Sequence, residues 1–284
     1  MRLSFALALA AVVFLVHVGS VAAQVVARAA VVIDSENGRT LVSKNPDLRM
    51  YPASTTKVMT AILAIESGRM SQLVTIRESD TRVEPSIIGL VPGERITMRD
   101  LVYGLMLRSG NDAARAIART LAGSEAEFAV MMNAKALKLG CTSTHFTNPH
   151  GLPNPKHYTT ARDLGRIMRY AMHNEEFREI TGSRHYHSTS TARARDFHNK
   201  NKLLRIYKGA TGGKPGYTRA AQQTLVASAK RSEHELVVVC LASRGRALWS
   251  DASRLLDLGF SRLASGGHAS GSGSGSDTAV AGTR

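Results

Sequence analysis

Cysteine is nearly absent. The 284-residue chain holds two, Cys141 and Cys240, too few for a disulfide-stapled scaffold. Cys141 follows a helix end at Gly140, whereas Cys240 sits inside the strand-like Leu236–Leu241. Two buried free thiols are therefore expected. No His/Cys group has metal-ligand spacing, and neither a metal nor a cofactor is expected. Aromatic residues make up only 5%, with no basic-aromatic interleaving of the kind single-strand binders use. Internal repeats are missing too.

Acidic residues are also scarce. Against 37 Lys and Arg stand 22 Asp and Glu, a formal net charge of +15. Such a balance suits an anionic polymer or lipid surface. Nucleic acid is the other standard partner, but the N-terminus argues against it. Arg2, the apolar run Leu7 to Val18 and the small residues Val21-Ala22-Ala23 read as a secretory signal, residues 1–23. Cleavage near Ala23 removes one charge, Arg2, and leaves +14. The chain is thus expected to be exported, to the periplasm or beyond. No other segment is apolar for the ~20 residues a spanning helix needs, so no stable membrane span is expected in the mature chain.

At the other end, residues 265–284 are mostly Gly, Ser, Ala and Thr. They cannot bury enough apolar surface to order themselves, and they read as a disordered tail. Residues 24–264 remain, enough for one large domain with a real core.

Strand signals come from both ends of that domain. Ala29 to Asp34 and Thr40 to Ser43 flank Glu36-Asn37-Gly38, a hairpin signature. Gln223 to Ala229 and Leu236 to Ala242 read as a second hairpin. A terminal helix is expected to follow, capped by Ser250 or Asp251, with Leu255, Leu256 and Leu258 facing inward. The middle is helical. Val58, Met59, Ile62, Leu63 and Ile65 form a stripe after Ser54. Thr97 with Asp100, Ser124 with Glu127 and Thr160 with Asp163 each suit a capping box. The expected class is α+β: an antiparallel sheet built from the two chain ends, packed on a helical subdomain from the middle.

Three short strings carry chemistry: Ser54-Thr55-Thr56-Lys57, Ser109-Gly110-Asn111 and Lys214-Pro215-Gly216. On a helix, Ser54 and Lys57 at i and i+3 share a face. A lysine can take a serine's proton only when burial or a nearby cation lowers its pKa, and Lys214 could be that cation. Ser109 lies in a loop between helical stretches 98–107 and 112–121, where it could relay a proton. Asn111 could hold Lys57 or the substrate backbone. Lys214 precedes a strand-like segment, Tyr217 to Ala229, and could bind a carboxylate, while Gly216 would admit substrate backbone closely. Alone, each string also reads as an ordinary cap, loop or surface turn. In this order they match the Ser-x-x-Lys, Ser-x-Asn, Lys-Thr-Gly trio of penicillin-binding proteins and β-lactamases.

Longer stretches resemble the exported serine-type D-alanyl-D-alanine carboxypeptidases, the low-molecular-mass penicillin-binding proteins. They are Tyr51 to Lys57, Leu107 to Ala114, His145 to Leu152, His157 to Asp163 and Asn199 to Leu204. The resemblance spans about residues 28 to 262. It implies a five-stranded antiparallel sheet flanked by helices, a helical subdomain, and a cleft between them. It implies Ser54 as nucleophile, Lys57 as general base and Ser109 as proton relay. Asn111, Lys214, Gly216, Tyr217 and Arg244 are implied to bind substrate, with the backbone N–H groups of Ser54 and Tyr217 as oxyanion hole. His150 reads as structural. Peptidoglycan stem peptides are the implied substrate and β-lactams the implied covalent inhibitors.

The chain departs from the family pattern at Pro215, where a hydroxyl residue is usual, and at Ala221, where glycine is common. It is also expected to lack the extra C-terminal sheet domain and membrane-binding helix of several members. A D,D-endopeptidase acting on cross-links, and a catalytically weakened wall-binding protein owing to Pro215, stay open as alternatives.

Overall fold

The computed structural model describes residues 25–189 and 193–267. The expected signal segment and most of the tail lie outside them. Five strands form the main antiparallel sheet: β1 (Ala29–Asp34), β2 (Thr40–Lys44), β7 (Ala210–Thr218), β8 (Gln222–Arg231) and β9 (His234–Ser243), in the order β2-β1-β9-β8-β7. Two ribbons complete the strands, β3 (Leu73–Thr75) with β4 (Arg95–Thr97) and β5 (His185–Ser188) with β6 (Arg195–His198).

The sheet is covered on both faces, and the period of two along its strands sorts the side chains. From β1, Val31 and Ile33 join Val237 and Val239 against the helical subdomain. Ala30 and Val32 join Val238, Cys240 and Leu225 on the opposite face. There the terminal helix, Ala247–Gly267, packs Leu248, Leu255, Leu256 and Phe260 against them. Two-sided burial explains why β1 and β9 read as continuous apolar runs.

The other helices are α1 (Lys57–Glu66), α2 (Glu78–Thr81), α3 (Met98–Tyr103), α4 (Asn111–Ala122), α5 (Glu125–Lys138), α6 (Ala161–Met172), α7 (Glu175–Gly182) and α8 (Leu203–Ile206); the terminal helix is α9. Thr97, Ser124 and Thr160 cap α3, α5 and α6 by accepting the N–H of Asp100, Glu127 and Asp163. Both cysteines are free and buried, as expected from their places at a helix end and in a strand.

Four expectations need correction. Tyr217 to Ala229 is not one strand: the chain turns at 219–221, held by the Ala221 N–H donating to Thr218 Oγ1 at 3.0 Å. Lys214-Pro215-Gly216 therefore lies within edge strand β7 instead of preceding a strand. The terminal helix starts at Ala247, not at Ser250 or Asp251. Asp251 instead accepts from the N–H groups of Val26 and Ala27 and from the Ser243 hydroxyl, tying the N-terminal segment to the sheet. Finally, α9 runs through Gly267, past the boundary set for the tail at 265. Ser265 Oγ donates to the Ser261 carbonyl within it.

Candidate active site

Ser54 stands on a tight 3-10 turn, Ala53–Thr56, that leads into α1. Ala53 is held at φ 50°, a region non-glycine residues enter at a cost of order 1 kcal/mol or more. The surroundings enforce it. The Pro52 carbonyl accepts both the Thr55 and the Thr224 hydroxyls, at 2.7 and 3.0 Å. Gly151, at φ +88°, lies so close that a Cβ there would sit 1.9 Å from the Ala53 oxygen.

The segment 145–159 forms the rest of the clamp. Pro149 O accepts the Thr60 hydroxyl and His157 Nε2 meets the Thr56 hydroxyl at 2.8 Å. His157 Nδ1 accepts the Thr147 N–H, so the proton is on Nε2 and the imidazole donates to Thr56. Burial holds His157 down to a pKa of about 3. His150 offers its carbonyl to Lys57, takes the Leu152 N–H on Nδ1, and reaches Glu125 through Nε2. These contacts tie Lys57, the 150–152 turn and α5 together.

Lys57 is fully buried. Its Nζ lies 3.1 Å from Ser54 Oγ, 2.6 Å from Asn111 Oδ1 and 2.7 Å from the His150 carbonyl. Two of these neighbours can only accept, while the hydroxyl can donate. A neutral amine satisfies all three: two N–H bonds go to the carbonyl oxygens and the lone pair faces the serine. Burial first, and then the charges of Lys214 and Lys200, push Lys57 well below its usual pKa. Among the described residues no carboxylate lies within ion-pair distance of it. An unpaired buried cation is costly, and that favours the unprotonated base.

Lys214 is the second fully buried lysine. Its Nζ donates to Ser109 Oγ at 3.0 Å and to its neighbour's carbonyl, Pro215 O, at 2.9 Å. Burial and Lys200 lower it to about 7. Ser109 follows a π-turn, Gly104–Arg108, and itself adopts the left-handed conformation, φ 68°. This re-aims the chain so that Asn111 opens α4 with its amide beneath Lys57. Asp112 fixes the facing loop by accepting the N–H groups of Ile88, Gly89 and Leu90.

Ser54, Ser109, Lys214, Pro215, Gly216 and Tyr217 line one open cleft of about 400 Å³, together with Pro85, Ser86, Lys200 and Gln223. The structure thus unites residues spaced 55 and then 105 apart in the chain. It also refines three expectations. Asn111 is anchored on both sides, its oxygen accepting from Lys57 and its NH2 donating to Glu84 O at 2.7 Å, so the amide steadies Lys57 and keeps one N–H for a further acceptor. Ser109 bonds Lys214, and any relay through it starts from that pair. At Gly216 the close approach is by the protein itself, since a Cβ would meet Thr224 Oγ1 at 2.5 Å and Ser54 N at 2.7 Å.

That contact brings edge strand β7 against the turn that carries Ser54. Pro215 pairs with Leu225 while offering no N–H, so its nitrogen faces away from the ladder. The period of two turns the Tyr217 N–H the same way, toward the cleft that Ser54 lines. Tyr217 itself is 59% exposed. Arg244 is exposed just past β9, beyond Ser243, whose register partner Gln223 lines the cleft. Lys200, whose Nζ donates to Ser86 Oγ at 3.1 Å, was not singled out from sequence. Its one signal was the family-like stretch from Asn199 to Leu204.

A serine on a helix-leading turn, a buried lysine as its neighbour and a lysine-bearing edge strand define a serine hydrolase of the penicillin-binding type. The comparisons agree. The family profile described as D-alanyl-D-alanine carboxypeptidase matches residues 17–245. D-alanyl-D-alanine carboxypeptidase DacB2 of Mycobacterium tuberculosis is 39% identical over 81% of this chain and 81% of its own length. DacF of Bacillus subtilis is 36% identical over 83% of this chain and 62% of its own. The crystal structure of a D-alanyl-D-alanine carboxypeptidase from M. tuberculosis superposes with a TM-score of 0.79 at 36% identity, covering 83% of this chain and 91% of that one. A Streptomyces K15 DD-transpeptidase mutant gives 0.80 at 32% identity, covering 84% and 99%. The chain belongs to the D-alanyl-D-alanine carboxypeptidase family.

Proposed function

We propose that this enzyme removes the terminal D-Ala from peptidoglycan stem peptides through an acyl-enzyme on Ser54. Lys57 Nζ takes the proton as Ser54 Oγ attacks the carbonyl of the penultimate D-Ala. The N–H groups of Ser54 and Tyr217 receive the developing oxyanion. The proton passes to the leaving amine, from Lys57 or through the Ser109–Lys214 pair, and the terminal D-Ala departs. Water then attacks the acyl group with Lys57 again as base. The cationic wall of Lys214 and Lys200 draws the substrate's terminal carboxylate, and Arg244, exposed past β9, is the further cation proposed to assist. The observation that carries this reading is the burial of Lys57 among three uncharged partners, one of them the Ser54 hydroxyl at 3.1 Å, beside the cation of Lys214.

A β-lactam presents a strained amide to the same groups and is expected to acylate Ser54. Incubation with fluorescent penicillin tests this. The wild type is expected to label and Ser54→Ala to stay dark; an unlabelled wild type, or equal labelling of both, refutes the proposal. Free D-Ala released from a pentapeptide marks carboxypeptidase action, whereas monomers released from cross-linked dimers mark an endopeptidase. Such a substrate places the enzyme outside the cytoplasm, in line with the leader-like first 23 residues. Among the described residues no helix is long and apolar enough to cross a membrane.

Pro215 favours one second reading. It lines the cleft where a hydroxyl would meet the substrate carboxylate, so weak turnover beside retained wall binding is the alternative.

A further inference from the structure

A second groove opens beside the cleft. Arg28, Leu48, Arg49, Met50, Tyr51, Pro155, Tyr158 and Ala220 line it, and it holds about 500 Å³. Two of its lining residues are neighbours along the chain of residues that line the cleft. Tyr51 stands three residues before Ser54, so their Cα atoms are at most ~11 Å apart. Ala220 stands in the turn that follows Tyr217 at the end of β7.

The groove is built on paired backbone. Met50 and Thr159 exchange N–H···O bonds of 2.8 and 2.9 Å. Tyr158 and His145 do the same at 3.0 and 2.8 Å. The Arg49 guanidinium is held over the Tyr158 ring, 4.7 Å from its centroid. The nearest acid in the chain, Asp47, is already engaged by Arg162 at 2.7 and 2.9 Å. Both Arg28 and Arg49 are exposed. Neither has a carboxylate partner in an ion pair among the described residues. Two guanidiniums with no acid engaged therefore stand beside two phenol rings, that of Arg49 resting on the Tyr158 ring.

Direction along β7 says what reaches them. Lys214 and Ser109 lie at one end of the cleft, and the Ser54 and Tyr217 N–H groups lie next along the strand. If the terminal residue of the substrate points to Lys214, the chain upstream of the scissile carbonyl runs past Thr218 toward Ala220. An extended peptide advances about 3.3 Å per residue, so two or three residues bring it into the groove.

We propose that this groove is a subsite for the upstream stem peptide, and that Arg28 and Arg49 select a free carboxylate two or three residues before the scissile bond. The inference rests on the proposed carboxypeptidase reading. Arginine forks match a carboxylate in a way they cannot match an amide.

The test uses two D-Ala-D-Ala-terminated pentapeptides that differ only in that upstream group, free acid or amide. Wild type is expected to prefer the acid by roughly 10-fold in kcat/KM, and Arg28→Gln/Arg49→Gln to bring the ratio close to one. The ratio is taken within each variant, so a partial loss of folded protein cancels. Calorimetric binding of the same peptides to Ser54→Ala must show the same preference without turnover. Equal handling of acid and amide by wild type, or a ratio unmoved in the double variant, overturns the subsite. Loss of turnover with the binding preference intact would count against the carboxypeptidase reading and leave the subsite standing.

Discussion

Replacing Pro215 by threonine should strengthen the enzyme. Position 215 is on edge strand β7, and its nitrogen faces off the ladder, so the exchange sacrifices no sheet hydrogen bond. Threonine suits a strand, and the 215 carbonyl that holds Lys214 is retained. The gain is one hydroxyl and one N–H on the wall shared with Ser109 and Lys214. A hydrogen bond to a charged group contributes about 1.5–3 kcal/mol, or roughly 10- to 150-fold. Because the cleft is open to water, the lower end applies, about 10-fold in kcat/KM. Stability should fall by only about 0.4–1 kcal/mol, since proline no longer restricts the unfolded chain. Thr218 Oγ1 is anchored at the following turn by the Ala221 N–H, which fixes it three residues further along β7. Pro215→Ala separates the contributions, since it restores the N–H alone. The assays are the second-order rate of acylation by fluorescent penicillin and kcat/KM on a D-Ala-D-Ala peptide. A folded Pro215→Thr with no gain in either refutes the reasoning. Labelling that appears in Pro215→Thr and is absent from wild type would establish the wall-binding alternative.

Other outcomes follow from the same geometry. Acylation should rise with pH as Lys57 loses its proton; Lys200→Gln removes a cation that lowers both buried lysines, so the acid limb of the kcat/KM profile should move to higher pH, and an unmoved limb would argue against that coupling. His157, lowered from 6.5 to about 3, binds its proton more readily unfolded than folded. Stability should therefore fall by about 1.4 kcal/mol per pH unit between those values as pH drops. Denaturation of His157→Gln across that range should show a shallower slope, and an equal slope would exclude His157 as the source. Gly151→Ala would drive a Cβ into the Ala53 oxygen at a left-handed φ. It should lower the melting temperature and cut penicillin acylation by roughly 10-fold or more, a strain of order 1–3 kcal/mol; wild-type acylation would show that the clamp does not position Ser54.

What could be read without coordinates was what is local or strongly periodic. Ser54 and Lys57 are one turn apart, so their meeting needs only a helix. The continuous apolar run of β1 and the Asn37-Gly38 turn make the first hairpin legible in the same way. The meeting of Lys214 with Ser109 is different, because nothing local joins residues 105 apart; only family likeness suggested it. The turn at 219–221 was hidden because Thr218-Arg-Ala-Ala221 has no Gly, Pro or Asn, and a threonine hydroxyl closes it. Asp251 reads as a helix cap in the sequence because its backbone partners, Val26 and Ala27, are more than 220 residues away. Lys200, Gln223 and His157 owe their places to packing, which leaves no mark in spacing.

Strand β1 lies between β2 and β9, and Ala30 faces Cys240 in register. A strand formed among the first residues to fold must hold open its inner edge until nearly the last ones arrive. Such distant pairing is slow, and it makes the two termini of the domain one structural unit. A ribosome-bound or proteolytically shortened chain that stops before β9 leaves the β7–β8 hairpin, and with it the lysine-bearing edge, unlinked to β1 and β2. Activity should therefore switch on only at completion, which spares the cell a half-made hydrolase.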